Sequence, residues 1–429
     1  LSVVLSPLIA LMKDQVDQAK NLPFEVRALN SGMSKSDKEK VLRKLSEGEI
    51  RLLYVTPERF RKPEFQEALA KNTIRLLAID EAHCISQWGE DFRPDYSKLG
   101  EIRKSLHPEI TVALTATATP QVQKDILEQL DIPLMKTDLH IDSIERPNLA
   151  LNVHEIYGID EKIRSLVALH HLCKGSQICY FSLISDLEET SRELSRLGIE
   201  HLVYHGQMED RRRHQSQKAF LNNEKKLMLA TPAFGLGVNK PDVRGVIHCQ
   251  IPGSIEAYYQ EVGRAGRDGF LSDCHLLYDS DDIQIQLDFL KWSKPDPEFT
   301  RALFRLLENH LDRFRQEGPD FLREKLNFYN RRDFRVETVL NLLDRWEVIE
   351  YKDRPVSQTK ILSKLPEEYL DAKVFEAQLK CAMQKLHEMV QFTRSEECRM
   401  GVIHQYFGEN LKIKCGICDN CRKTVETLQ

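Results

Sequence analysis

No run of eighteen consecutive apolar residues occurs anywhere in the 429 residues, so no membrane-spanning helix and no membrane partner are expected. A secretory leader pattern is also missing. The chain opens at Leu1, inside a strand-like run, so further protein is expected upstream and the missing leader decides little about location. Positive charge is not in excess: 61 Lys and Arg stand against 66 Asp and Glu, for a net charge of −5. That excludes a protein that coats nucleic acid by bulk charge, and any such contact must come from a local groove. Low-complexity tracts and short repeats are absent, which leaves out repeat arrays. Six of the ten cysteines sit singly in apolar or mixed surroundings and read as buried thiols of a reducing compartment, not as a disulfide framework. Finally, no G-x-x-x-x-G-K-[ST] loop occurs, so one common cradle for nucleotide phosphates is missing from these residues.

What is present is an α/β rhythm of ordinary globular composition, 41% hydrophobic and 30% charged. Strands are predicted at Leu1–Ser6, Glu25–Leu29, Ile50–Val55, Ile74–Asp80 and Ile110–Thr115, with amphipathic helices between them. A polar linker, Asp138–Asn148, follows. The rhythm resumes at Leu149–Val153, Gln177–Phe181, Leu202–Tyr204, Lys226–Ala230, Gly245–Cys249 and His275–Tyr278. The fold class expected is therefore α/β: two tandem parallel-sheet domains at 1–137 and 138–282, with a ligand cleft between them. Beyond about Asp282 the strands stop. Residues 299–345 read as helical, with Phe299, Leu303, Leu306 and Leu307 on one face and Val336, Val339, Leu340 and Leu343 on another. Trp346–Tyr351 and Lys360–Leu362 read as a two-stranded wing, making 295–363 a candidate winged-helix insertion; a plain helical spacer is the alternative. A helical subdomain carrying clustered cysteines is expected at 364–429.

Chemistry concentrates in Asp80–Gly100, DEAHCISQWGEDFRPDYSKLG. Two adjacent carboxylates at the C-terminal end of a buried parallel strand sit where open α/β sheets bind ligands. One carboxylate of the pair can hold Mg²⁺, directly or through water, and its neighbour can orient the water that attacks a γ-phosphate. Taken alone, an Asp-Glu pair at a strand end is common. The tail, with Trp88, Phe92, Arg93 and Tyr96, mixes aromatic and basic groups that stack on bases and pair with phosphates. In the second half, Gln260-Glu261-Val262-Gly263-Arg264-Ala265-Gly266-Arg267 sets two arginines three residues apart, able to reach across a cleft to developing phosphate charge. Cys398 is followed, after sixteen intervening residues, by Cys415, Cys418 and Cys421. Four thiolates so spaced can close a tetrahedral structural Zn²⁺ site, with an Fe–S cluster or redox pair as competitor.

The whole Asp80–Gly100 string closely resembles the Walker B segment and aromatic loop of RecQ-type DNA helicases of superfamily 2, and other segments fall in that family's order. The resemblance implies two RecA-like domains that use ATP with Mg²⁺, and a zinc subdomain. It implies catalytic roles for Asp80, Glu81, Arg264 and Arg267, with Arg267 as the arginine finger. Gly237, Asn239 and Gln260 would face the nucleotide. Ser6, Lys13, His83, Trp88, Phe92 and Arg93 would engage or sense DNA. Leu114–Thr119 (LTATAT) resembles the family's coupling segment, and Cys398, Cys415, Cys418 and Cys421 its zinc ligands. The implied activity is ATP-driven 3′ to 5′ movement on single-stranded DNA by a monomer unwinding forked duplexes in repair or recombination, in the nucleoid or the nucleus. An RNA helicase and a non-catalytic DNA-binding scaffold are the rival readings. Two features depart from the family. The phosphate loop is missing, so these residues alone are expected to hydrolyse ATP poorly. About 130 residues separate Arg267 from Cys398, more than the family usually places there.

Overall fold

The computed structural model describes residues 1–429 apart from 8, 31, 87–95, 97, 236–239, 327–332, 347, 352–354, 410–413 and 427–429. The first apolar run becomes β1 (Ser2–Leu5), the centre of a five-stranded sheet in which Val3 and Leu5 are wholly buried. Joining it are β2 (Glu25–Leu29), β3 (Ile50–Val55), β4 (Leu76–Ile79) and β5 (Ile110–Ala113), in the order β2-β3-β1-β4-β5 and all parallel. Parallel strands need long crossovers. These run through α1 (Ile9–Gln18), α2 (Lys35–Ser46), α3 (Pro63–Leu69) and α4 (Leu99–Leu106), with α5 (Pro120–Gln129) after the last strand. Local chemistry starts the helices: Ser34 caps α2 through Asp37 N, and Thr119 caps α5 through Val122 N with Pro120 in its first turn.

The second sheet holds β6 (Leu149–Glu155), β7 (Ser176–Tyr180), β8 (Leu202–Tyr204), β9 (Leu227–Ala230), β10 (Val243–His248) and β11 (Ser272–Tyr278). Its order is β6-β11-β10-β7-β9-β8, again wholly parallel. Its helices are α6 (Gly158–Leu172), α7 (Ile184–Arg196), α8 (Asp210–Leu221) and α9 (Ile255–Val262). Each sheet has its own apolar core, one around Leu5, Leu53, Leu77 and Phe65, the other around Leu166, Phe181, Leu229 and Ile247. The expected fold class holds, with strand ends within three residues of expectation.

These two lobes, residues 1–279, form one compact unit with residues 389–429. Residues 280–388 form another. That second unit carries α10 (Asp282–Ser293), α11 (Pro297–Asn309), α12 (Leu311–Glu317), α13 (Pro319–Leu326) and α14 (Arg335–Arg345). The helical stretch expected over 299–345 is thus divided, with one break at Gly318, whose φ of 72° suits glycine, before Pro319. Leu303, Leu307, Phe314, Leu322, Val339 and Leu343 pack its core. A short antiparallel ladder joins β12 (Ile349–Glu350) to β13 (Lys360–Ile361), at the two places read as a wing. The long α15 (Ala372–Arg394) then leads to α16 (Arg399–Tyr406) and α17 (Asp419–Glu426), the helices of the cysteine subdomain. No helix among the described residues is long and apolar enough to cross a membrane.

Candidate functional site

Strand register assembles the site. Leu5 pairs with Val55 and Ile79, and Ile79 with Ala113, so Ser6, Thr56, Asp80 and Leu114 follow their strands on one edge of the sheet. There Ser6 Oγ donates to Asp80 Oδ2 at 3.2 Å, and Glu81 N donates to Asp80 Oδ1 at 3.0 Å. Ser6 is 2% exposed, so its hydroxyl serves the carboxylate. Tyr54 lies close enough to feel that carboxylate. Burial first, and the charge of Asp80 second, raise its phenol and keep it neutral. Glu81 adopts a left-handed backbone (φ 49°, ψ 48°), unusual away from glycine and typical of strain held at functional positions.

From Glu81 a relay of polar contacts crosses to the second lobe. His83, almost wholly buried, turns Nδ1 toward Glu81 Oε2 (3.3 Å) and Thr115 Oγ1 (3.1 Å). Thr115 Oγ1 accepts from Thr117 N at 3.2 Å, and Thr117 Oγ1 accepts from Gln260 Nε2 at 3.1 Å. The LTATAT segment therefore links the carboxylates to α9 through short hydroxyl side chains, each needing small volume and one hydrogen-bonding oxygen.

In the second lobe, Ser254 caps α9 through Ala257 N, and Glu261 anchors the helix to His248 at 2.7 Å. His248 lies between the rings of Tyr180 and Tyr258. The turn after α9 carries Arg264 and Arg267. Arg264 lies across Gly235, donating to its carbonyl, where a Cβ would collide with the guanidinium. Gly266, at φ 56°, is enclosed by Asn148, Phe270 and Ser272 and leaves no room for a side chain. Burial, then the neighbouring guanidiniums of Arg264 and Arg146, lower the proton affinity of Arg267. With Arg146 engaged on backbone carbonyls, Arg264 and Arg267 are the guanidiniums of this turn that would favour an anion.

Cys398, Cys415, Cys418 and Cys421 bring their sulfurs within 4.8 Å of one another. A Zn–S tetrahedron has edges of ~3.8 Å for bonds of ~2.3 Å, so the set fits that ion with little adjustment. Backbone amides already point at the sulfurs: Cys415 N to Cys398, Cys418 N to Cys415 and Cys421 N to Cys418, at 3.3–3.4 Å. Hydrogen bonds within the cluster hold the Cys398 thiol below its usual range and push Cys415 above it, so one thiolate is favoured over its neighbours while no ion is bound. The subdomain docks on the second lobe. Arg399, 4% exposed, forms a two-pronged bridge to Asp419 (both 3.0 Å), and Asp419 Oδ2 accepts from Val153 N on β6 at 3.2 Å. Tyr258 meets Phe392, and Tyr259 meets Phe407.

Of the residues anticipated from sequence, Ser6, Asp80, Glu81 and His83 converge, and Gln260 joins them through Thr117. Arg264 and Arg267 share one turn. Lys13 stands exposed on α1. Trp88, Phe92, Arg93, Gly237 and Asn239 lie outside the described residues. Tyr96, grouped with the base-stacking aromatics, is instead wholly buried in the first core and cannot stack on a base. Sequence reading missed Arg146, an ordinary charged residue of the linker, and gave no role of its own to Glu409, which lies in a segment resembling the zinc subdomain. A cleft of about 410 Å³ in the second unit, lined by Trp292, Lys294, Asp296, Asp333 and Arg335, carries balanced charge and no comparable array.

Solved structures that share the architecture include yeast Dbp5 bound to RNA and ADP BeF₃, with a TM-score of 0.51 at 16% identity, covering 68% of this chain and 74% of that one. Another is the DUF1998 helicase MrfA bound to DNA and AMPPNP, with a TM-score of 0.52 at 17% identity, covering 67% and 43%. At such identities the likeness speaks to the fold. Two RecA-like lobes, one carrying the carboxylate pair and the other the arginine turn, joined by Gln260 on Thr117, have the architecture of a helicase core. Family models agree: DEAD/DEAH box helicase over residues 1–126, helicase conserved C-terminal domain over 161–269 and RecQ zinc-binding over 358–422. The chain belongs to the RecQ family. It is 40% identical over 306 residues to the ATP-dependent DNA helicase RecQ of Bacillus subtilis, covering 71% of this chain and 51% of that protein. It is 38% identical over 323 residues to the probable ATP-dependent DNA helicase RecS of the same organism, covering 75% and 64%. The chain spans about half the length of the curated relatives it matches.

Proposed function

We propose that this chain is the motor region of an ATP-dependent DNA helicase that moves 3′ to 5′ along single-stranded DNA and opens forked duplexes during repair or recombination. The observation that carries the reading is the relay from Glu81 through His83, Thr115 and Thr117 to Gln260. It joins a carboxylate pair in one lobe to the helix that leads into the arginine turn of the other, as a motor needs if hydrolysis is to change the lobe contact. In this reading Mg²⁺, when bound, would supply neutralisation of charge on the nucleotide phosphates. Asp80, steadied by Ser6, holds the ion, and Glu81 orients the attacking water. Arg264 and Arg267 stabilise the transition state from the second lobe, and Gly237 and Asn239 face the nucleotide. Trp88, Phe92 and Arg93 sense single-stranded DNA, with Lys13 adding charge along its path. Zn²⁺ at the four cysteines is structural. Residues 295–363, with packed helices and a short antiparallel ladder, are read as a winged-helix-like insertion. The protein works as a monomer in the compartment that holds the DNA.

The test is ATP hydrolysis by the product of the complete reading frame, with and without single-stranded DNA. At least tenfold stimulation by DNA is expected, and Glu81→Gln should remove at least 99% of turnover while ATP still binds. Because the 429 residues contain no G-x-x-x-x-G-K-[ST] loop, they are expected to hydrolyse ATP poorly by themselves. No hydrolysis by the complete protein under either condition would sink the motor and favour the DNA-binding scaffold. Equal stimulation by RNA would sink the preference for DNA.

A further inference from the structure

The linker between the lobes is fastened at both sides. Ile144 N donates to Glu409 Oε1 at 3.2 Å, and Ser143 Oγ donates to Glu409 Oε2 at 3.4 Å. Glu409 belongs to the loop between Cys398 and Cys415 and is itself gripped by His404 Nδ1, at 2.5 Å, from the wholly buried His404 side chain on α16. On the linker's other side, the carbonyl of Ile144 accepts from the Tyr259 hydroxyl on α9. Two residues on, Arg146 closes over the end of that helix. Its Nη1 donates to Gly263 O at 3.2 Å, and its Nη2 donates to Ala265 O at 2.7 Å and Gly266 O at 3.0 Å. Asn148 Nδ2 adds bonds to Gly266 O (2.7 Å) and Phe270 O (2.9 Å).

Carbonyls at a helix C-terminus are left without intrahelical partners and carry partial negative charge, which a guanidinium satisfies well. Here the satisfied carbonyls belong to Gly263, Ala265 and Gly266, the residues that alternate with Arg264 and precede Arg267. A peptide plane held by its carbonyl cannot rotate, so the neighbouring side chains keep their direction. With its donors spent on three carbonyls, Arg146 is placed to shape the turn and not to meet the phosphates.

We infer that Arg146 is a positioning residue for the Arg264–Arg267 turn, and that Glu409 fastens it by tying the linker to the cysteine subdomain. A metal at the four cysteines closes the loop that carries Glu409, so the subdomain reaches the arginine turn through this strap without touching nucleotide. The catalytic half of the inference rests on the ATP-hydrolysing reading above; the strap itself does not.

Hydrogen exchange on the full zinc-loaded chain tests the strap directly. In Arg146→Gln, amides of residues 264–269 are expected to exchange about tenfold faster, with β10 and β11 unchanged. Arg146→Lys, which cannot span three carbonyls, should fall between. Glu409→Ala should raise exchange about threefold in the same peptide with zinc content unaltered. Native exchange in Arg146→Gln, or a rise spread evenly over the second sheet, overturns the positioning role. Native exchange in Glu409→Ala overturns the fastening. In the complete protein, Arg146→Gln should lower kcat for ATP about tenfold with KM within twofold, and an unchanged kcat overturns the link to the arginines. If the native protein hydrolyses no ATP, the motor reading fails while the exchange result stands by itself.

Discussion

The two parallel sheets finish in different ways. In the first, β5 stands at the edge largely uncovered: Ile110 is 59% exposed, and Leu114, just past the strand, 53%. In the second, β6 is also an edge strand, yet Leu149 and Leu151 are buried, and the cysteine subdomain lies on it with Asp419 taking the Val153 amide. An open edge offers unpaired backbone groups and invites association, whereas a covered one is committed. The difference is that β6 is covered by the cysteine subdomain, while β5 presents apolar surface that none of the described residues covers.

The largest effect should come from uncovering β6. Chelating the metal, or replacing Cys415 with Ser, is expected to release residues 389–429 and lower the Tm by roughly 10 °C, since structural zinc contributes several kcal/mol or more. Hydrogen exchange should rise along Asn152–His154. If β6 keeps its protection after zinc loss, the cysteine subdomain is not what covers it. Next in size is Arg399→Met. This removes one partner of a buried two-pronged pair and strands Asp419 against the β6 edge. Losses from such breaks are about 3–5 kcal/mol, measurable by urea denaturation. A loss under about 1 kcal/mol would mean that ring packing, not charge, seats the subdomain.

How much of this was legible beforehand follows from the kind of interaction. Apolar runs at β1, β3, β4 and β9 could be read because parallel strands are buried on both faces and need no alternation. The carboxylates and four cysteines could be read because their chemistry demands fixed residue types at fixed spacing. Arg146 could not, since its partners are backbone carbonyls, which any sequence supplies. Ser6 was assigned toward DNA from its place in a motif; only strand register brings its hydroxyl to Asp80. Tyr96 followed an aromatic pattern, but its burial in the first core is a tertiary fact. The exposure of β5 was equally hidden, because an apolar strand reads the same at an edge as at the centre.

A third prediction sharpens the β6 side through pH. His154 Nε2 and His275 Nδ1 meet at 3.0 Å across β6 and β11, facing Asp419 and Asp273 but also Arg422 and Lys423. Burial first, then His154 and Arg422, push His275 down to about 4. Its folded value lies below the ordinary 6.5, so the unfolded chain binds more protons in that interval. The stability it contributes is complete above about pH 6.5 and is lost as pH falls toward 4, by up to ~3 kcal/mol. His275→Gln should flatten this part of the profile relative to the native chain, and identical slopes between pH 6.5 and 4 would refute the assignment.

The smallest effect belongs to β5. Ile110→Lys puts a charge on the open edge, where none of the described residues of the first core buries the side chain. Its folding free energy should change by less than about 0.5 kcal/mol, the range of surface substitutions, while self-association at high concentration falls. Light scattering and urea denaturation of the same variant separate the two. A loss above about 1 kcal/mol would show that the β5 edge is covered in the protein under assay, and the contrast between the sheets would then be one of which partner covers each edge.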